Sequence, residues 1–108
     1  MRGILLFAVM VLLTACSPEP RNLELHVIVA EAHTLDSQVV TTRGTVRMYA
    51  DPEHYWIEDD ALNRVGLHGM DVSSYVGSDV EVTGRFSVSR ERGRHLEVTD
   101  VMVLSQHE

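Results

Sequence analysis

Hydrophobic and polar positions divide this chain into two regimes. Ile4 to Leu13 is one unbroken apolar stretch, too short to span a bilayer comfortably, which takes about 20 residues. From Leu23 onward the pattern has a period of two. Leu23, Leu25, Val27 and Val29 alternate with Glu24, His26, Ile28 and Ala30, which predicts a strand with one wet face. His33 to Gln38 reads as a connection. Val39 to Tyr49 is rich in β-branched residues and predicts a second strand, with Gly44 in its interior where a bulge, bend or close backbone approach is needed.

The turn Ala50-Asp51-Pro52-Glu53 leads into His54–Glu58, the acidic turn Asp59-Asp60, and a weakly patterned run Ala61–His68 in which Leu62 and Leu67 differ in phase. Together with the preceding strand these predict a three-stranded meander. Asp71 to Gly77 is too short for a normal α-helix; Asp71 caps a single turn over Ser73–Val76, which Gly77-Ser78 ends. Val80, Val82, Phe86 and Val88 then share one face, with Gly84 in phase among them. After Arg90-Glu91-Arg92-Gly93-Arg94 the pattern resumes at Leu96 and Val98 and changes phase at Thr99-Asp100 before Val101 and Val103. That change is the mark of a β-bulge in a long hairpin. No eleven-residue amphipathic helical pattern follows the apolar leader, which excludes a helical bundle and a βαβ fold.

Composition narrows the function classes. The 108 residues hold 16 acidic groups against nine basic ones, a net charge of −7, and all nine basic groups are arginines. Affinity for nucleic acid comes mainly from neutralising phosphates with Lys and Arg, so this balance argues against a general nucleic-acid partner. The single cysteine, Cys16, leaves no disulfide within the chain.

With Arg2 ahead of it, the apolar run has the form of an export signal, and Leu13-Thr14-Ala15-Cys16 at its end resembles the bacterial lipobox. The resemblance implies diacylglycerol on the Cys16 sulfur, cleavage before Cys16 and acylation, with palmitate among the chains, of the new amino group; several acyl chains anchor a protein where one is marginal. The expected organisation is a lipoprotein signal peptide over 1–15, a lipidated tether over 16–22 and one domain over 23–108. In this lipoprotein family an aspartate after the cysteine tends to retain the protein at the inner membrane. Ser17 in that place implies, in a Gram-negative cell, the outer membrane, facing the periplasm.

A second resemblance covers about residues 38–104. RGTVRMY, YWIED, a turn-like segment ending YVG, and VEVTGRFSVS paired with HLEVTDVMVL resemble an oligonucleotide/oligosaccharide-binding (OB) fold of the small periplasmic and tRNA-anticodon-type kind. In that family the first long strand bends near a glycine, matching Gly44, and a V-x-V-x-G strand precedes the last hairpin, matching Val80, Val82 and Gly84. The expectation is an all-β domain: a small five-stranded OB-like barrel with an additional N-terminal strand at Leu23–Ala30 and at most one short helical turn. Many members close the barrel with a longer helix between the third and fourth strands. Here the extra strand would lie across a barrel edge or the open bottom and protect the apolar side chains left uncovered.

The resemblance implies a ligand face on the second and third barrel strands, where Tyr49, Tyr55 and Trp56 lie. Tyr55 and Trp56, being neighbours, point to opposite faces. Trp56, the only tryptophan in a domain short of large apolar residues, is expected in the core, with Tyr49 and Tyr55 as stacking contacts. Arg85, Arg90, Arg92 and Arg94 form the one basic concentration, a positive rim on an acidic body that suits an anionic partner. Glu58-Asp59-Asp60 reads as a solvated turn tip, because no calcium-loop spacing accompanies it. The six histidines form neither H-x-H nor HExxH and give no metal spacing; a nucleophile elbow, a phosphate loop and CxxC are also absent.

The sequence therefore predicts a lipid-anchored envelope binding module with no catalytic activity and no cofactor, whose partners are the membrane, through its lipid, and an envelope protein or small ligand. Two alternatives stand beside it. One is a structural accessory subunit of an outer-membrane or periplasmic complex, which an uncovered apolar strand edge would favour; the other is a metal-dependent enzyme or metal-binding protein, which clustered imidazoles or carboxylates in a pocket would favour.

Overall fold

The computed structural model describes Gly3 and residues 19–106. Apart from Gly3, the segment expected as an export signal lies outside the described residues, as does Cys16. Six strands and two short helices make up the domain: β1 (Arg21–Asn22), α1 (Leu25–Ala30), α2 (Ala32–Leu35), β2 (Val39–Ala50), β3 (Glu53–Glu58), β4 (Arg64–His68), β5 (Ser78–Ser89) and β6 (Gly93–Gln106), with a 3₁₀ turn at Ser73–Tyr75. The strands run in the order β1-β2-β3-β4-β6-β5, and β5 pairs back onto β2. Strands β2 to β6 thus form a closed ring, antiparallel everywhere except between β4 and β6. This is the all-β, OB-like arrangement expected from the sequence.

Leu23–Ala30 is not a strand. Leu25–Ala30 and Ala32–Leu35 are helical, and the buried positions are Leu25, Ile28, Ala32 and Leu35. Their spacing of three, four and three is a helical stripe. It competes with the period-two alternation in the same residues, and it prevails because it puts Ile28, assigned to the wet face by the strand reading, wholly into the core. The helices contact β2, β4 and β5, which are not all neighbours in the ring, and their side chains join one core with Val46, Ile57, Val80 and Phe86. An element that touches separated strands and inserts into the interior closes an end of the ring. That is the covering task expected of this segment, performed by helices. Arg21–Asn22, expected as tether, pairs in parallel with Val40–Thr41.

Elsewhere sequence chemistry and structure agree. Asp71 accepts a hydrogen bond from the Ser73 N–H at 2.9 Å, one residue ahead of the N-cap Val72 of a 3₁₀ turn that ends at Tyr75 and not Val76, and Gly77 takes φ +87° as the chain leaves it. Thr83 pairs with Asp100 and Gly84 with Val98, so Thr99 is the extra residue of a bulge where the phase change lies; a second shift leaves Leu104 over. Gly84 sits against the first bulge: a Cβ there would lie 2.9 Å from the Glu97 carbonyl carbon and 3.1 Å from Val98 Cα. Gly44 likewise makes room for α1, since a Cβ would meet Leu25 Cδ1 and the Glu58 carbonyl oxygen at 3.0 Å. In the weakly patterned run, Val65 and Leu67 face the core, while Leu62 is an exposed turn residue at φ +63°.

Candidate functional site

The outer face of β3, β4 and β6 carries an open groove of about 570 Å³, lined by His54, Trp56, Arg64, Gly66, Val88, Arg92, Gly93 and Arg94. Its geometry begins at Ile57. That side chain is wholly buried and pairs with Val46 and Val65. Alternation then turns Trp56 and His54 outward and Tyr55 inward, where it packs against the core and donates its hydroxyl to Glu53. This reverses the sequence assignment. Trp56 floors the groove, and Tyr55 is not on it.

Three rings run along this face. Tyr49 and His54 have centroids 5.6 Å apart, and His54 and Trp56 5.3 Å apart. His54 is oriented by its Nδ1–H, which donates to the Pro52 carbonyl at 2.8 Å. The Arg64 guanidinium lies 5.5 Å from the Trp56 centroid, within cation–π range. Glu58 holds it from the far side at 3.6 Å and also pairs with Arg47 at 3.3 Å. Gly66 lies opposite Trp56 on β4 and, lacking a side chain, leaves the floor open.

The last hairpin supplies the other wall. Arg94 donates its Nε–H to the Arg64 carbonyl at 3.3 Å, and the turn is held by the Arg92 N–H bonded to Ser89 Oγ. The arginine ion pairs among the described residues use Arg43, Arg47 and Arg64; none involves Arg92 or Arg94. The groove therefore presents a ring and two unneutralised guanidinium groups in a protein of net charge −7. Of the six contacts predicted from sequence, the structure brings Tyr49, Arg92 and Arg94 to this region. Arg90 is exposed at the hairpin tip outside the lining. Arg85 points elsewhere, its guanidinium toward the Ser37 carbonyl. His54, Trp56 and Arg64 were missed. The alternation through Ile57 was the available signal for the first two.

Beside the groove floor, His68 and His95 meet edge to face with centroids 5.3 Å apart. His95 is buried, and its Nδ1 has no hydrogen-bond partner. Burial pushes the His68 pKa below 6.5, with His95, Arg92 and His54 acting in the same direction and Glu97 against them. Among the described residues no three His, Cys, Asp or Glu side chains are grouped to hold a metal ion. The acidic tip has an internal use. Glu58 takes two arginines, and Asp59 accepts from the Ala61 and Asn63 N–H groups and from Asn63 Nδ2. Burial pushes the Asp59 pKa up, but the hydrogen bonds from Asn63 and Ala61 outweigh it and leave the carboxyl below its usual range.

No family model matches the chain, and no curated protein matches it. Among solved structures, a Leishmania major Friedlin protein described as an aspartyl-tRNA synthetase superposes on 90% of this chain with a TM-score of 0.57 and 10% identity. The likeness is one of fold. This chain spans 23% of the length of that protein.

Proposed function

We propose that this chain is a lipid-anchored envelope module that binds an anionic ligand carrying a flat ring, in the groove between Trp56 and the last hairpin, without breaking bonds. The observation that carries this reading is the pairing of one outward tryptophan with two arginines that form no ion pair among the described residues. Clefts beside these strands are where OB-like folds take ligands, and aromatic faces and guanidinium groups together favour a planar anion. The anchor rests on the sequence, on Leu13-Thr14-Ala15-Cys16, and Ser17 supports the outer membrane, facing the periplasm, as the destination.

The accessory-subunit reading has one observation of its own. β4 meets β6 only at residues 95–97, so beyond Glu97 one edge of β6 has no strand partner among the described residues, and Met102, Val103 and Leu104 there are exposed. The bulges at Thr99 and Leu104 twist that edge, a feature that blocks strand addition, so the groove is the stronger candidate.

The test uses the full chain purified in non-ionic detergent, with naphthalene-1,3,6-trisulfonate as a permanently charged ring and inorganic sulfate as the anion without one. The trisulfonate is expected to bind more tightly than sulfate and to shift the Trp56 indole resonance in NMR spectra. Trp56→Ala should weaken it by about tenfold or more, the scale of one stacking contact. Arg92→Ala/Arg94→Ala should weaken both anions, and Arg90→Ala neither. Equal affinities for the two probes, or a Trp56→Ala variant that binds like the parent, would remove the groove from consideration.

A further inference from the structure

We propose that the groove binds its anion together with a proton, taken up by His68, whose ring meets that of His95 beside the floor. The inference rests on the groove reading above and adds its regulation.

Topology brings the pair together. His95 is opposite Gly66, and Gly66 is opposite Trp56, across three adjacent strands. Because residue 66 is glycine, nothing separates the groove from the neighbouring imidazole: a Cβ at Gly66 would stand only 3.5 Å from His68 Nε2. The charged and titratable groups facing His68 are His54 from β3, Arg92 from the hairpin, and His95 and Glu97 from β6. Arg92 and Glu97 act on its charge in opposite directions, Arg92 against the imidazolium and Glu97 for it. His95 meets the His68 ring edge to face and keeps a buried Nδ1 with no partner among the described residues.

In the empty groove an imidazolium at His68 faces Arg92 and a second imidazole 5.3 Å away, all of which resist its charge. Burial acts the same way, so the His68 ring is held neutral near pH 7. An anion beside Arg92 and Arg94 reverses the sign of the local field and favours the imidazolium. The pKa of His68 is then higher in the complex than in the free protein. Linkage follows directly: affinity rises as pH falls through the interval between the bound and free values, by up to tenfold per pH unit for one proton, and levels off below the free value. The free value lies under 6.5, which places the gain in the acidic range.

The experiment measures trisulfonate and sulfate affinity for the full chain from pH 5 to pH 8 by NMR, and follows the imidazole resonances of His68 and His95 with and without probe. Trisulfonate and sulfate keep their charge across this range, so any slope belongs to the protein. The expected result is tighter binding at low pH, an upward shift of the imidazole midpoint on adding probe, and loss of the slope in His68→Gln/His95→Gln. A His54→Gln variant separates the contribution of the ring stacked on Trp56. Binding with the same affinity at every pH overturns the coupling and leaves the groove reading intact. A slope that survives in His68→Gln/His95→Gln also overturns it, and absence of binding at every pH overturns both readings.

Discussion

At Gly84 a single hydrogen in place of a side chain decides how β5 and β6 meet. A Cβ would meet the Glu97 carbonyl carbon and Val98 Cα, and both are backbone atoms of a paired strand, which cannot rotate aside as a side chain would. Gly84→Ala should therefore push β6 away at the Thr99 bulge and cost about 1–3 kcal/mol, seen as a lower urea midpoint with an unchanged slope. Gly66→Ala meets only ordinary contacts, the nearest at 3.4 Å, and should leave the midpoint nearly unmoved. The same sensitivity to one residue governs the ligand face. Ile57 turns Trp56 outward, and a register slip of one would exchange Trp56 and Tyr55 between groove and core.

At the scale of elements, the helical pair α1–α2 is the least expected feature and the easiest to test. If Leu23–Ala30 were a strand lying along an edge, Ile28 would sit on its wet face and its truncation would cost little. As helices they place Ile28 and Leu35 at zero exposure in the core. Ile28→Ala and Leu35→Ala should each cost about 2–5 kcal/mol in urea unfolding. A loss below about 0.5 kcal/mol for Ile28→Ala would restore the strand reading. The helices stand in for the longer closing helix that OB-like domains carry between their third and fourth strands, where this chain has only the 3₁₀ turn Ser73–Tyr75.

At the scale of the whole molecule, the acidic net charge and the arginines of one hairpin separate a body from a face. An acidic body repels the anionic surface of a membrane, while the groove rim attracts anions; the lipid anchor proposed from the sequence would then hold the domain near the bilayer without pressing it flat. Cys16→Ser should abolish incorporation of labelled palmitate and leave a chain of larger peptide mass, read by mass spectrometry of the purified product. Labelling that persists in Cys16→Ser would remove the lipid anchor from the reading. Among the described residues no helix is long and apolar enough to cross a membrane.

The sequence by itself determined the strands β2, β5 and β6, the capped turn at Asp71 and the bulge at Thr99, because each depends on short-range alternation or on a turn residue whose conformational preference is local. It also determined that the basic groups gather near the last hairpin. Only the tertiary structure decided the rest. Leu23 to Ala30 carries a period-two alternation and Leu25 to Leu35 a helical stripe, and the choice between them depends on the opening that the segment covers. Which ring of the Tyr55-Trp56 pair faces outward depends on the register of β3 against β2 and β4. The placing of Trp56, Gly66, His95 and Arg94 in one neighbourhood depends on a parallel pairing of β4 with β6 between residues some thirty apart in the chain. Spacing along a chain holds no record of such a pairing, which ring closure alone imposes.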